Sequence, residues 1–241
     1  MSTTITLKNV SKAFAELIIL HDVNLEIKMG EFFVFVGPSG AGKSTILRIM
    51  SGLESDFKGS LTLSEGLTRR DMSFVFQQFA LLPWLSVEEN VGLGLVARGV
   101  PPKERHERVM KELSQLGLEK FAHVKPRELS GGMRQRVGIA RAFVTDPKVI
   151  FMDEPFSELD SFTAEVLRKE LLGIWEKRKP TIIMVTHIVE EAVELADRIA
   201  VLTPRPARIE HVVENNLPRP RKERSEEFYN LEDRVTQLVR P

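Results

Sequence analysis

Nine consecutive residues, Gly37-Pro38-Ser39-Gly40-Ala41-Gly42-Lys43-Ser44-Thr45, have the composition and spacing of an anion cradle. The glycines free the backbone to turn successive N–H groups inward on a phosphate. The apolar run Phe32–Val36 before them predicts a buried strand, and Ile46–Met50 after them a helix, so the cradle ends at a helix N-terminus with its positive potential. This is the GxxxxGKS pattern of a P-loop in the setting a P-loop requires. Lys43 is expected to bridge the β- and γ-phosphates of a nucleotide, the Ser44 hydroxyl to complete the coordination of Mg²⁺, and Thr45 to donate to the α-phosphate.

Three further apolar runs end in polar residues: Phe74–Phe76 in Gln77, Val149–Met152 in Asp153-Glu154, and Ile182–Val185 in Thr186-His187. Ligands of open α/β sheets bind at the carboxyl ends of the parallel strands, so the four ends converge on one site if the strands are neighbours. Asp153 matches the carboxylate that holds Mg²⁺ in P-loop enzymes. Glu154, pointing to the other side of the strand end, is the candidate general base for an attacking water. Gln77 is placed to orient that water or contact Mg²⁺, with Gln78 the neighbour that could be confused with it. His187 could touch the γ-phosphate and sense its loss.

A second cradle, Ser130-Gly131-Gly132 within Leu129–Arg136, stands at the start of a helix expected over Met133–Phe143. One P-loop does not obviously need another phosphate cradle.

These residues must be positioned by elements whose pattern is legible. Residues 3–30 alternate apolar and polar in short pieces, as strands with one solvated face do. The later runs, including Ile199–Leu202, are continuous, as in strands of a parallel sheet buried on both faces. Glu165–Lys177 carries an apolar stripe (Val166, Leu167, Leu171, Ile174, Trp175) that reads as core. Residues 85–142 hold helix-like runs such as Pro102–Leu116 and no β-rich one, which predicts a helical subdomain inserted into the sheet.

At 241 residues the chain has room for one α/β domain with a smaller insertion, and not for two nucleotide-binding domains. Basic and acidic residues number 34 each, so no global field attracts nucleic acid, and none is expected as a partner. The proline-interrupted basic cluster Arg219–Arg224, followed by Glu226 and Glu227, reads as a solvated tail. No apolar run approaches the roughly 20 residues that cross a bilayer, and the N-terminus lacks a signal-peptide core, so a soluble protein that stays where it is made is expected. With no cysteine, disulfides and thiolate chemistry are excluded.

Taken with Ser157-Glu158-Leu159-Asp160, the P-loop, Gln77, Leu129–Arg136, Asp153-Glu154 and His187 make residues 3–205 resemble the ATP-binding-cassette (ABC) ATPases, in that family's order and spacing. The resemblance implies an α/β P-loop NTPase cassette with a mixed sheet core, an antiparallel β subdomain and an inserted helical subdomain. The domains would be 1–205, with the insertion at about 85–142, and a short extension at 206–241 ending in a helix over Glu226–Val239. It also implies that two cassettes pair head to tail, Ser130 and Gly132 of one closing with Gly131 over the γ-phosphate held by Lys43 of the other. Phe14 falls where an aromatic stacks on adenine, and Asp160 where an aspartate links the two sites. Phe14 replaces the commoner tyrosine, Glu158 stands where alanine is usual, and Ile188 replaces a frequent aspartate; none of these removes a catalytic group.

The apolar loop Phe79–Trp84 reads either as core of the helical subdomain or as a groove for a short helix of a membrane partner. Together with Thr203–Ile209 and Leu217–Arg221, its Leu-Leu-Pro-Trp looks like the nitrate, sulfonate, taurine and bicarbonate uptake branch, with Ala207 where glycine is common. That resemblance implies an ATP- and Mg²⁺-dependent subunit on the cytoplasmic face of the cell membrane, peripherally bound to transmembrane permease subunits. A second ATPase subunit, expected to be an identical copy, and an extracytoplasmic solute-binding protein would complete the importer. The alternatives are a soluble non-transport ABC ATPase, disfavoured by the single cassette, and a non-catalytic adaptor, disfavoured by intact Lys43, Asp153, Glu154 and His187.

Overall fold

The structure, a computed structural model, describes residues 3–221 and 225–239. In chain order the elements are β1 (Thr3–Phe14), β2 (Leu17–Lys28), β3 (Phe32–Val36), α1 (Lys43–Ser51), β4 (Lys58–Leu63) and β5 (Met72–Val75). There follow α2 (Val87–Ala97), α3 (Pro102–Gln115), α4 (Gly131–Phe143), β6 (Val149–Asp153) and α5 (Ser161–Arg178). The chain continues through β7 (Thr181–Thr186), α6 (Val189–Leu195), β8 (Arg198–Leu202), β9 (Ile209–Glu214) and α7 (Glu226–Val239).

Two compact units are formed. The first takes Met1–Arg69, Phe151–Asp153 and Lys179–Pro241. Its centre is β3, whose five residues are fully buried because helices and neighbouring strands leave neither face to water. β3 pairs in parallel with β7 (Phe32 opposite Ile182 through Val36 opposite Thr186) and with β8, which β9 continues antiparallel; Asp153, ending β6, lies on the far side of β7. The alternating segments form a separate antiparallel sheet in the order β2-β1-β4, with Ile5, Leu7, Val10, Val23, Leu25 and Ile27 turned inward.

The second unit, Arg70–Ile150 and Glu154–Arg178, is mainly helical, with β5 beside the start of β6. Phe76 falls outside β5, one residue short of the run the sequence suggests. Ser86 and Glu89 cap α2 reciprocally, the Ser86 hydroxyl accepting from the Glu89 N–H and the Glu89 carboxylate from the Ser86 N–H. Asn90, fully buried, bonds Leu82 N–H and the carbonyls of Leu82, Leu85 and Ser86, which fixes the turn before α2.

The C-terminal segment corrects one reading. Arg219 and Arg221 are not solvated: Arg221 is 8 % exposed and donates to the carbonyls of Val193 (3.0 Å) and Glu194 (2.8 Å), while Arg219 reaches Leu195 O and pairs with Asp197. Asn215 adds a third donor, to Val193 O at 2.8 Å. The last carbonyls of a helix lack intrahelical partners and carry negative potential, so two guanidiniums and an amide close the end of α6. Burial, and after it Arg219, pushes Arg221 down to about 9, against the opposing pull of Asp197 and Glu194. Residues 222–224 of the cluster lie outside the described residues. α7 follows as the stripe predicts, with Phe228 and Val235 buried.

Replacing Arg221 by alanine should lower unfolding stability by about 2–4 kcal/mol, since it strips buried carbonyls of a charged donor. Urea unfolding followed by circular dichroism measures this, and an unchanged midpoint would return the residue to the solvated class.

Candidate functional site

In the first unit the P-loop runs from the carboxyl end of β3 into α1. Gly42, at φ +91°, is the N-cap of α1, and a Cβ there would stand 2.7 Å from Ile19 Cγ2 and 2.9 Å from Leu20 Cδ2. Both the left-handed backbone and the approach of β2 therefore demand glycine. No side chain caps α1, and the positive potential of a helix N-terminus favours an anion there. Lys43, 4 % exposed, folds back over the loop, its ammonium donating to Gly37 O (2.8 Å) and Pro38 O (3.0 Å). Ala41 N–H closes the turn on Pro38 O, with Ser39 and Gly40 at its exposed tip. Thr45 lies in the first turn of α1.

The Ser44 hydroxyl donates to Asp153 Oδ1 at 2.7 Å. A hydroxyl and a carboxylate in contact are hard oxygen donors of the kind Mg²⁺ takes, so this pair fits that ion. Among the described residues no group of three His, Cys, Asp or Glu could hold a metal by itself, so phosphates and water would have to supply the remaining ligands. The register that sets Val36 opposite Thr186 brings His187 out beside Gly37. Thr186 Oγ1 donates to buried Glu191 (2.6 Å) and accepts from Ile188 N–H (3.1 Å), tying the exposed His187 to the first turn of α6. Phe14 ends β1 opposite Leu17, half-exposed, with the Lys12 ammonium 4.6 Å from its ring centroid. That contact offers a cation–π attraction that steadies the ring.

The second unit gathers Gln77, Glu154, Asp160 and Ser130–Gly132. Glu154 has φ +43°, a left-handed conformation uncommon for a residue with a side chain and of a kind that clusters at active sites. Its carbonyl accepts from the Ser157 hydroxyl at 3.0 Å, and Gln77 Nε2 stands 3.4 Å from that same hydroxyl. Ser157 is thus a link between the two; the sequence shows it only as the head of Ser157-Glu158-Leu159-Asp160, a place that does not announce this role. Asp160 caps α5 by accepting from Thr163 N–H at 3.0 Å, and that hydrogen bond holds its carboxyl below the usual range.

Ser130 caps α4, its hydroxyl accepting from Met133 N–H. A Cβ on Gly131 would lie 3.8 Å from Glu158 O, and one on Gly132 only 2.6 Å from Thr163 Cγ2. The second cradle therefore rests directly on residues 158–163. The loop Phe79–Trp84 is not core: its members are half-buried or exposed, and Trp84 is 67 % exposed. Its backbone is nevertheless fixed, by Arg141 on Phe79 O and Ala80 O and by Lys125 on Trp84 O.

A P-loop closing a buried parallel strand, an acidic strand end touching its serine, and a second glycine cradle on a helical unit define a P-loop ATPase of the cassette type. The ABC transporter family pattern matches residues 20–157. The aliphatic sulfonates import ATP-binding protein SsuB of Bacillus cereus is 40% identical, over 97% of this chain and 95% of that protein. The nitrate import ATP-binding protein NrtD of a Synechocystis species is 40% identical, over 93% of this chain and 89% of its own. A bacterial ABC transporter cassette solved as a dimer superposes with a TM-score of 0.78 at 37% identity, covering 88% of this chain and 99% of that one. The same cassette in a dimeric post-hydrolysis state, bound to ADP and phosphate, gives 0.77. The chain belongs to the ABC transporter family as an ATP-binding subunit, and it is an ATPase. Among its described residues no helix is long and apolar enough to cross a membrane.

Gly132→Ala should cost about 1–3 kcal/mol of stability by driving a methyl into Thr163. Thr163→Ser, which keeps the backbone donor to Asp160 and removes the methyl, should recover most of that loss in a double-mutant cycle of unfolding midpoints. Equal losses in the single and double variants would rule out this contact as the cause.

Proposed function

We propose that the chain energises uptake of a small anion, of the nitrate, sulfonate, taurine or bicarbonate kind, through a separate transmembrane permease. The observation that carries the transport reading is the loop Phe79–Trp84, which presents an exposed Trp84 on a backbone held from three sides. A rigid apolar anchor of this kind is what a helix from a partner needs to dock against. Near full-length likeness to both a sulfonate and a nitrate import ATP-binding protein supports the same branch. The subunit would then sit peripherally on the cytoplasmic face of the membrane, with an extracytoplasmic binding protein delivering the solute.

In this reading Gly37, Pro38, Ser39, Gly40, Ala41 and Gly42 wrap the phosphates in backbone N–H groups, and Lys43 leaves its carbonyl contacts to meet the β- and γ-phosphates. Mg²⁺, held by Ser44 and Asp153 with Gln77, would neutralise charge on the phosphates. Thr45 donates to the α-phosphate, and Phe14 stacks on the adenine. Glu154 takes the proton of the attacking water, which Gln77 orients, and His187 contacts the γ-phosphate. Ser130, Gly131 and Gly132 of a second copy close over that phosphate, with Asp160 linking the two sites. Hydrolysis removes the group that both copies hold, so the pair opens and the permease is reset.

Glu154→Gln should still bind ATP and dimerise while turning over at least roughly 10²-fold more slowly; hydrolysis at the parental rate would remove Glu154 from the base role. Lys43→Ala should instead weaken nucleotide binding itself, read by titration with a fluorescent ATP analogue. For the transport reading, a tagged pull-down from gently solubilised host membranes should bring down a multi-spanning permease in stoichiometric amount. Recovery of soluble partners alone would favour the non-transport ATPase.

A further inference from the structure

Two exposed charges take no part in the chemistry above, and neither Arg205 nor Glu158 makes an ion pair or side-chain hydrogen bond with another described residue. Arg205 belongs to a turn pinned at both sides. Thr203 N–H donates to Arg208 O (3.1 Å), Arg208 N–H to Thr203 Oγ1 (3.0 Å), and buried Ala207 exchanges hydrogen bonds with Ile19 O and His21 N–H. The turn delivers the guanidinium to the tip of the P-loop, with Nη2 3.1 Å from where a Cβ on Gly40 would stand. An unpaired cation is therefore held three residues before Lys43.

Glu158 lies against the other cradle through its backbone, its carbonyl oxygen 3.8 Å from where a Cβ on Gly131 would stand. Wherever Ser130–Gly132 goes, Glu158 goes with it. If Ser130 and Gly132 of one copy close over the phosphate on Lys43 of another, Glu158 is carried with them toward the nucleotide site at which the other copy's Arg205 stands.

We propose that Arg205 of one copy pairs with Glu158 of a second copy of this chain across the nucleotide-closed interface, once at each site of the two-fold pair. The inference rests on the head-to-tail reading given above and names its partner. Both halves of the contact come from one sequence, so an identical copy satisfies both sites, whereas a related cassette with a neutral residue in place of Glu158 leaves a cation unmatched. A pair at the rim of an interface contributes modestly and is screened by salt, but two like charges forced together there cost more than the pair contributes.

The test uses the full chain carrying Glu154→Gln, with ATP and Mg²⁺, and reads dimerisation by sedimentation. E158R and R205E should each weaken the dimer by at least about tenfold. Mixing the two single variants should restore it, since each supplies the charge the other lost and both contacts become complementary; that rescue distinguishes a contact between copies from one within a copy. Affinity of the monomers for a fluorescent ATP analogue, with circular dichroism, separates loss of pairing from loss of nucleotide or fold, and E158R leaves the P-loop and Arg205 untouched. Dimerisation of both single variants at the parental strength, or a mixture no better than its components, overturns the ion pair while leaving the head-to-tail reading standing. A Glu154→Gln chain that stays monomeric at saturating ATP overturns the head-to-tail reading, and the ion pair with it.

Discussion

The parallel ladder between β3 and β7 sets the geometry on which the nucleotide site depends. With Val36 opposite Thr186, the P-loop and His187 leave the sheet at the same level, and Asp153 ends β6 on the far side of β7, within 2.7 Å of Ser44. Phosphate chemistry tolerates displacements of well under an ångström. A slip of one residue would exchange the two faces of β3, and close packing forbids it, because Phe32, Phe33 and Phe35 fill space on both sides of the strand. The edge-on contact of Phe33 and Phe35, 5.1 Å between ring centroids, belongs to that lock.

In the second unit a different device serves the same end. Ser130 and Gly132 have no sheet to hold them; they are held by a helix cap and by contact with residues 158–163, the stretch that also caps α5 through Asp160. The Gly132 contact leaves no room for a side chain. Glu154 meets its neighbours from a left-handed backbone, and conformational strain of order 1–3 kcal/mol survives only where surrounding hydrogen bonds over-determine it. Two donors from Ser157 to the Glu154 carbonyl are such bonds.

Beyond the sheet, the C-terminal segment acts on α6, which begins two residues after His187. Glu191 anchors its first turn to Thr186, and Asn215, Arg219 and Arg221 close its last turn. A helix of seven residues cannot stand by propensity alone, so its position is fixed from both ends by tertiary bonds. Residues 215–221 are therefore a structural part of the first unit, and the charge of Arg219 and Arg221 that makes them look like a tail is what the helix terminus requires.

Much of this was legible in the sequence, for identifiable reasons. The continuous runs Phe32–Val36 and Ile182–Val185 read as strands buried on both faces, the alternation of residues 3–30 reads as strands with one solvated face, and the glycine spacing before Lys43 admits few backbones. The stripe of α7 and the Ser130–Gly132 cradle at the start of a helix are local patterns and could be read locally. Burial of Arg221 could not, because proline and glutamate neighbours look alike whether or not a helix end 27 residues earlier in the chain supplies carbonyls. Nor could the left-handed Glu154, or the delivery of Arg205 to Gly40 by a turn pinned on β2. Sequence determined which elements form and which chemistry they carry, since periodicity and side-chain type act over a few residues. Tertiary structure decided which charges are paired, which glycines have no room to change and which cations meet the phosphate loop, because those depend on groups brought together from distant parts of the chain.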